Sequence, residues 1–226
     1  MKLNFFVKSK IDTKLSYLIN TIRDYIFSLD FSFIYKLKPD YLLPFSYSIL
    51  TTKNDRENSK RKFLIDFTTI DYKLGAYLYN FLLKFNKNSS EIKYIWTEIK
   101  KDNLIKENSC IFKTLSPIIL DISSTNWYLI NETNSIYEQV KNLIREISYF
   151  YLDEEIKMFD LKFFELSKVA IRFEDKIFQG FEAIFEININ SNILNLINKI
   201  GIGFKKDYGF GKIEIINKDF KGGSNK

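Results

Sequence analysis

The sequence predicts an α+β protein of two successive βαββαβ units, the second closed by a glycine-rich loop. Three observations predict it. Apolar residues alternate in some stretches and recur at three–four spacing in others, the signatures of half-buried strands and amphipathic helices. These stretches follow the same order twice along 226 residues. Four of the eight glycines fall between Gly201 and Gly211. The length is enough to bury one large core or two small ones.

Lys2–Lys8 reads as a strand, its apolar stretch being too short for a signal peptide. Asp12 or Thr13 caps a helix that carries Leu15, Leu18, Ile19, Ile22 and Ile26 on one face, with Arg23 and Asp24 off it. Residues 31–44 read as a loop with a turn at Lys38-Pro39-Asp40. Leu43–Leu50 alternates as a strand, polar Thr52–Arg61 forms a hairpin tip, and Lys62–Thr69 returns. Asp71 caps a helix bearing Leu74, Leu78, Phe81, Leu82 and Phe85, and Glu91–Ile99 closes the first unit. The second begins with a strand over Ile111–Ile122. Ser135-Ile-Tyr-Glu138 is a capping box opening a helix with Ile136, Val140, Leu143, Ile144 and Ile147. Lys162–Phe173 and Lys176–Asn188 form a hairpin about Asp175. Ser191–Ile200 is a short helix stopped by Gly201, and Phe210–Ile216 completes the sheet. Each βαββαβ unit implies a ferredoxin-like domain, here 1–105 and 106–226.

Composition excludes several chemistries. The chain has no histidine, which removes histidine-based triads, histidine general bases and almost every zinc site. Its one cysteine, Cys110, forms no intramolecular disulfide, fits a reducing cytoplasm and reads as a packed thiol. Asp153-Glu154-Glu155 reads as a solvated turn, so neither metal nor cofactor is expected. No apolar run reaches the length of a membrane span. The net charge is +6. Residues 1–110 hold 19 Lys and Arg against 12 Asp and Glu, residues 111–226 hold 15 against 16, and residues 199–226 hold seven lysines against three acids. Positive charge on the first half and at the very end favours a polyanion.

The glycine cluster, Gly201-Ile-Gly203-Phe-Lys205-Lys206-Asp-Tyr208-Gly209-Phe-Gly211, is open to two readings. Glycine lets backbone amides approach a ligand closely, so a basic, amide-lined loop suits phosphate. Equally, the cluster is a helix cap followed by a turn, with solvated lysines. Together with Phe112-Lys-Thr-Leu-Ser-Pro117-Ile-Ile and Leu43-Pro-Phe-Ser-Tyr-Ser, the loop resembles the repeat-associated RNA-binding proteins of CRISPR systems. More narrowly, it is similar to their repeat-processing endoribonucleases.

The resemblance implies recognition of CRISPR repeat RNA and one metal-independent cut per repeat. In such a cut the ribose 2′-OH attacks the adjacent phosphate, leaving a 2′,3′-cyclic phosphate and a 5′-OH. Members of the family commonly place a histidine just after the first helix; this chain has Tyr35, Lys36 and Lys38 there. Lys36 or Lys38 is the candidate leaving-group acid and phosphate clamp, with Arg23, Tyr25 or Tyr35 orienting the 2′-OH or stabilising charge. Lys205, Lys206 and the loop amides lead the RNA-binding candidates, followed by Lys60, Arg61 and Lys62, then Lys113 and Arg172. Tyr208, Tyr47 or Trp127 are candidates for stacking bases. Two further readings stand beside the enzyme: a binding-only homologue that lost cleavage with histidine, and a structural subunit of an RNA-guided effector complex. The protein is expected as a monomer or homodimer.

Overall fold

The computed structural model describes residues 1–9, 15–29, 40–52, 62–88, 92–100, 104–120 and 133–216. The first half runs β1 (Lys2–Ser9), α1 (Leu15–Ser28), β2 (Phe45–Thr52), β3 (Lys62–Thr69), α2 (Tyr72–Asn88) and β4 (Ile92–Lys100). Its four strands lie in the order β2-β3-β1-β4, every neighbouring pair antiparallel. This is the ferredoxin-like arrangement that the alternating and three–four patterns predict. The helices bury Leu18, Ile22, Ile26, Leu74 and Leu78 against Phe45, Tyr47, Phe63, Ile65 and Phe67 of the sheet. Asp71 caps α2 as expected, its Oδ1 accepting from the amides of Lys73 and Leu74.

The second half runs β5 (Ser109–Thr114), β6 (Ile118–Ile119), α3 (Thr133–Leu152), β7 (Asp160–Phe173), β8 (Lys176–Asn188), α4 (Ser191–Ile200) and β9 (Ile213–Ile215). Here β8 is central, pairing β5, β6 and β7, while β5 also pairs β9. Ile136, Val140, Ile144 and Ile147 of α3 and Ile193, Leu194 and Ile197 of α4 cover Phe112, Phe181, Phe185 and Ile187. Asn190 caps α4 through its side chain, and the Gly201 amide closes the last turn on the Ile197 carbonyl.

Three expected elements differ, the last strand among them: of Phe210–Ile216 only Ile213–Ile215 is strand. The strand over 111–122 breaks after Thr114, because the amides of Leu115 and Ser116 turn to the Lys212 carbonyl and Pro117 has no amide to donate. Helix α3 begins two residues before Ser135, whose hydroxyl accepts from Gln139 Nε2 instead of capping. The expected loop over 31–39 and hairpin tip over 53–61 lie outside the described residues.

The two halves meet at β2, an edge strand of the first sheet. Phe45 and Tyr47 face the helices, yet the alternate residues Ser46 and Ser48 are buried too, because α4 and the glycine-rich segment cover that side. The segment from Gly201 to Gly211 wraps this edge closely. A Cβ on Gly201 would lie 3.0 Å from Ser46 Cβ and 2.3 Å from the Gly211 carbonyl oxygen. One on Gly211, where φ is +75°, would lie 2.2 Å from the Ile202 carbonyl oxygen. Both the left-handed backbone and the contact reject a side chain. Gly211→Ala is therefore expected to destabilise the fold by about 2 kcal/mol or more, read as a lower urea midpoint. An unchanged midpoint would show that the segment can move off the edge without loss.

Candidate functional site: the seam around the glycine-rich loop

Polar side chains on β2 and β3 capture the loop. Ser46 Oγ and Thr68 Oγ1 both donate to the Lys199 carbonyl at the end of α4. Lys212 Nζ bonds Thr68 Oγ1 and lies 3.5 Å from Asp66 Oδ1. Lys206 and Tyr208 bound a 3-10 turn that continues the wrap onto the helix side of β2. There the Tyr47 hydroxyl donates to the Asp207 carbonyl at 2.6 Å, and Lys206 Nζ donates to the Tyr41 carbonyl at 2.6 Å. Lys205 Nζ lies 3.4 Å from Asp40. Arg23 Nε, from α1, donates to Asp207 Oδ2 at 2.7 Å, and its guanidinium sits 4.7 Å from the centre of the Tyr208 ring.

Burial changes the charges in this seam. Lys206 is fully buried, which pushes its ammonium down to about 7 against the pull of Asp40. Burial likewise pushes Lys212 down to about 8, opposed by Asp66. Burial raises the Asp207 carboxyl above its ordinary range, with Arg23 pulling the other way.

The structure brings together only part of the expected site. Arg23, Lys205 and Tyr208 converge on the seam. Lys206 does not face a ligand: its ammonium is enclosed and spent on the Tyr41 carbonyl, a correction to its expected phosphate contact. The loop amides are largely committed as well. Those of Ile202, Phe204 and Gly211 donate to the carbonyls of Gly211, Ile119 and Pro117, and those of Tyr208 and Gly209 close the turn. Gly201, Gly203, Gly209 and Gly211 thus serve close backbone packing, the cap-and-turn reading of the cluster. Tyr25 points elsewhere: it stacks on Phe81 with ring centres 3.7 Å apart and its hydroxyl donates to the Tyr77 carbonyl. Two residues along a helix are about 200° apart, so Tyr25 and Arg23 cannot face one phosphate from a common side.

Arg172 is exposed on β7, its Nε donating to the Glu174 carbonyl. Lys113 is exposed on β5, directly across from Glu214, on the sheet face away from the helices. Tyr47 is fully buried and offers no ring to a base. Tyr35, Lys36, Lys38, Lys60, Arg61 and Trp127 lie outside the described residues, as does the side chain of Lys62. Among the described residues no three His, Cys, Asp or Glu converge as metal ligands, and no helix is long and apolar enough to cross a membrane. Sequence reasoning missed Asp207, which orients Arg23. Its only signal was an acid inside an otherwise basic spacer.

Next to Arg23 the seam opens into a cleft of about 340 Å³ whose walls include Ile19, Ile49, Pro117, Phe173, Tyr208 and Phe210. Both halves thus contribute to one concavity.

The two buried lysines make stability depend on pH. Both bind their proton more weakly in the folded chain than at the ordinary 10.5. Between pH about 7 and 9 the unfolded chain holds lysine protons that the folded chain has released, so stability rises with pH there; above that the Cys110 thiol, pushed up to about 11 by burial, opposes the climb. The unfolding free energy from urea titrations is expected to climb by up to about 1.4 kcal/mol per pH unit for each lysine. Lys206→Met should flatten that climb; an identical slope in the variant would place the titration elsewhere.

Comparison with known proteins agrees with this architecture. The family model described as CRISPR associated protein Cas6, C-terminal, matches residues 98–215. A solved Cas6-related protein from Pyrococcus furiosus is 14% identical, with a TM-score of 0.73 over 96% of this chain and 99% of that one. A CRISPR associated protein Cas6 is 18% identical with a TM-score of 0.71 over the same shares. A RAMP protein described as binding different RNA substrates is 16% identical with a TM-score of 0.73, again over 96% and 99%. At such identities the likeness is one of fold. No curated protein matches the chain. The family match runs from the end of β4 through the whole second sheet, the glycine-rich loop and β9. It spans more than half of the sequence, and on it the chain belongs to the Cas6 family.

Proposed function

We propose that this chain binds CRISPR repeat RNA and cuts the precursor once within each repeat, without a metal. Membership of the Cas6 family supports the substrate, and the arrangement of Arg23 supports the chemistry. The observation that carries the reading is a guanidinium held at its Nε by Asp207 and backed by the Tyr208 ring. Among the described residues only Asp207 bonds this guanidinium, at Nε, so the two Nη groups are proposed to take the non-bridging oxygens of a phosphate, the planar recognition at which arginine excels.

In the proposed cut the 2′-oxygen bonds to phosphorus, the bond from phosphorus to the 5′-oxygen breaks, and the proton of the 2′-OH leaves to a base. The 5′-oxygen takes up a proton in turn. Arg23 stabilises the charge that grows on the phosphorane, and Lys205 contacts a neighbouring phosphate from the rim. Lys36 or Lys38 supplies the leaving-group proton, and Tyr35 is the candidate for orienting the 2′-OH. Lysine near its ordinary pKa is a poor base at neutral pH. Losing a matched acid or base costs roughly 10²–10⁴-fold, so turnover is slow. Tyr25 and Lys206 take no part in this scheme.

The experiment is incubation with repeat RNA in EDTA. Products ending in a 2′,3′-cyclic phosphate are expected, and a 2′-deoxy substitution at the scissile nucleotide should abolish them. Arg23→Ala is expected to slow cleavage by about 10²–10³-fold, and Lys205→Ala to lower the salt slope of binding by about one. The absence of histidine favours a second reading, a protein that binds the repeat and does not cut it. Native RNA that stays bound and intact through long incubation would establish that second reading.

A further inference from the structure

We propose that the cleft beside Arg23 receives one unpaired nucleobase of the bound RNA, an inference that rests on the RNA-binding function proposed above. Its walls come from both halves of the chain and are mainly aliphatic and aromatic. Such walls do not suit a phosphate, which needs cations or amides, but they do suit the flat face of a base. Its volume of about 340 Å³ is ample for a single base.

The cleft is joined to the phosphate-facing group. Ile19 and Arg23 are four residues apart on α1, so their side chains are neighbours at ~5–6 Å, about the span of one ribose. Tyr208 belongs to both places, lining the cleft and lying under the Arg23 guanidinium. A nucleotide whose phosphate rests on Arg23 can therefore lay its base against Ile19, Pro117 and Phe173.

The polar groups at the cleft are few and suited to a base edge. Ser16 and Ser116 offer hydroxyls, while Arg172 and Glu174 stand at β7 and the turn that follows it. Glu174 is fixed from across the seam, its Oε1 accepting from Asn20 Nδ2 at 3.0 Å. A held carboxylate accepts from an exocyclic amine, and an arginine donates to ring or carbonyl acceptors. The two guanidiniums, Arg23 and Arg172, draw a polyanion to this place, which argues for RNA over the apolar side chain of another protein. Single-stranded loops and ends are where RNA presents unstacked bases.

The test uses the full chain and the repeat RNA with 2-aminopurine placed at successive positions. One position is expected to change its fluorescence sharply on binding, and an abasic residue there should weaken binding about tenfold or more. Ser16→Trp, which fills the cleft from α1, should remove the fluorescence change while circular dichroism stays that of the folded chain. Ser16→Ala should preserve it. RNA that binds with normal affinity but gives flat fluorescence and abasic scans would overturn the base site and leave the proposed function standing. So would a signal that persists in Ser16→Trp. A Ser16→Trp chain that sediments differently with unchanged RNA affinity would assign the cleft to a second copy instead. Failure of the wild-type chain to bind the RNA at all would overturn both proposals together.

Discussion

Between Gly201 and Gly211 the backbone packs against the side chains of Ser46 and Tyr47 on an edge strand contributed by the other half, and all four glycines there hold positive φ. An edge strand presents unpaired polar groups and invites an intruding partner. Here a segment of the same chain covers that strand, held by side chains of the strand and not by strand pairing. The wrap passes from the α4 side of β2, at Ser46, round to the helix side, at the Tyr47 hydroxyl. It is also pinned from beneath by the break at Leu115–Pro117, whose backbone exchanges bonds with Gly211 and Lys212. Two sequence features that look unrelated, a glycine cluster and a Thr-Leu-Ser-Pro turn, are the two faces of one joint.

That joint decides where positive charge is available. Counting lysines puts Lys205, Lys206 and Lys212 on the loop as a basic patch, but two of the three are fully buried. Burying an ammonium is costly unless it finds partners. Lys206 finds a carbonyl and Lys212 finds a hydroxyl and a carboxylate, so both act as ties between the halves. What remains for a polyanion is Lys205, part-exposed beside Asp40, with two arginines, Arg23 at the centre of the seam and Arg172 at its rim. A guanidinium keeps its charge at any physiological pH, whereas the buried lysines titrate near neutrality. The RNA binding proposed for the seam is thus insulated from pH in a way that the stability of the joint is not.

The fold was legible because its signals are local. Leu18, Ile22 and Ile26, or Phe63, Ile65 and Phe67, announce their period within a few residues, and the doubled βαββαβ order follows from them. The site was less legible because its contacts are long-range. Lys206 looks like any exposed lysine until Tyr41, 165 residues away, is seen to accept from it. Ser46 and Ser48 are the polar positions of an alternating strand, and only the docking of α4 and the glycine-rich segment buries them. Tyr25 and Arg23 look equivalent in sequence, but helix geometry sends one to α2 and the other to the loop. Asp207 was invisible for the same reason: its role exists only once α1 and the loop meet.

The Arg23–Asp207 contact also bears on how a chain without histidine could promote phosphoryl chemistry. A free arginine on a helix surface samples many rotamers, and fixing it on a phosphate costs conformational entropy. Asp207 removes much of that freedom beforehand by holding Nε, and the Tyr208 ring restrains the guanidinium plane. Electrostatic catalysis depends on groups that need no reorganisation when charge develops. Asp207 lowers the net positive charge at the site, which weakens raw attraction for RNA, yet it fixes the direction in which the remaining donors point. A site assembled this way gains in transition-state stabilisation what it forgoes in ground-state affinity, the trade that raises turnover rather than occupancy. With no imidazole to move protons, orientation of fixed charge is the main catalytic resource that the proposed cut can draw on.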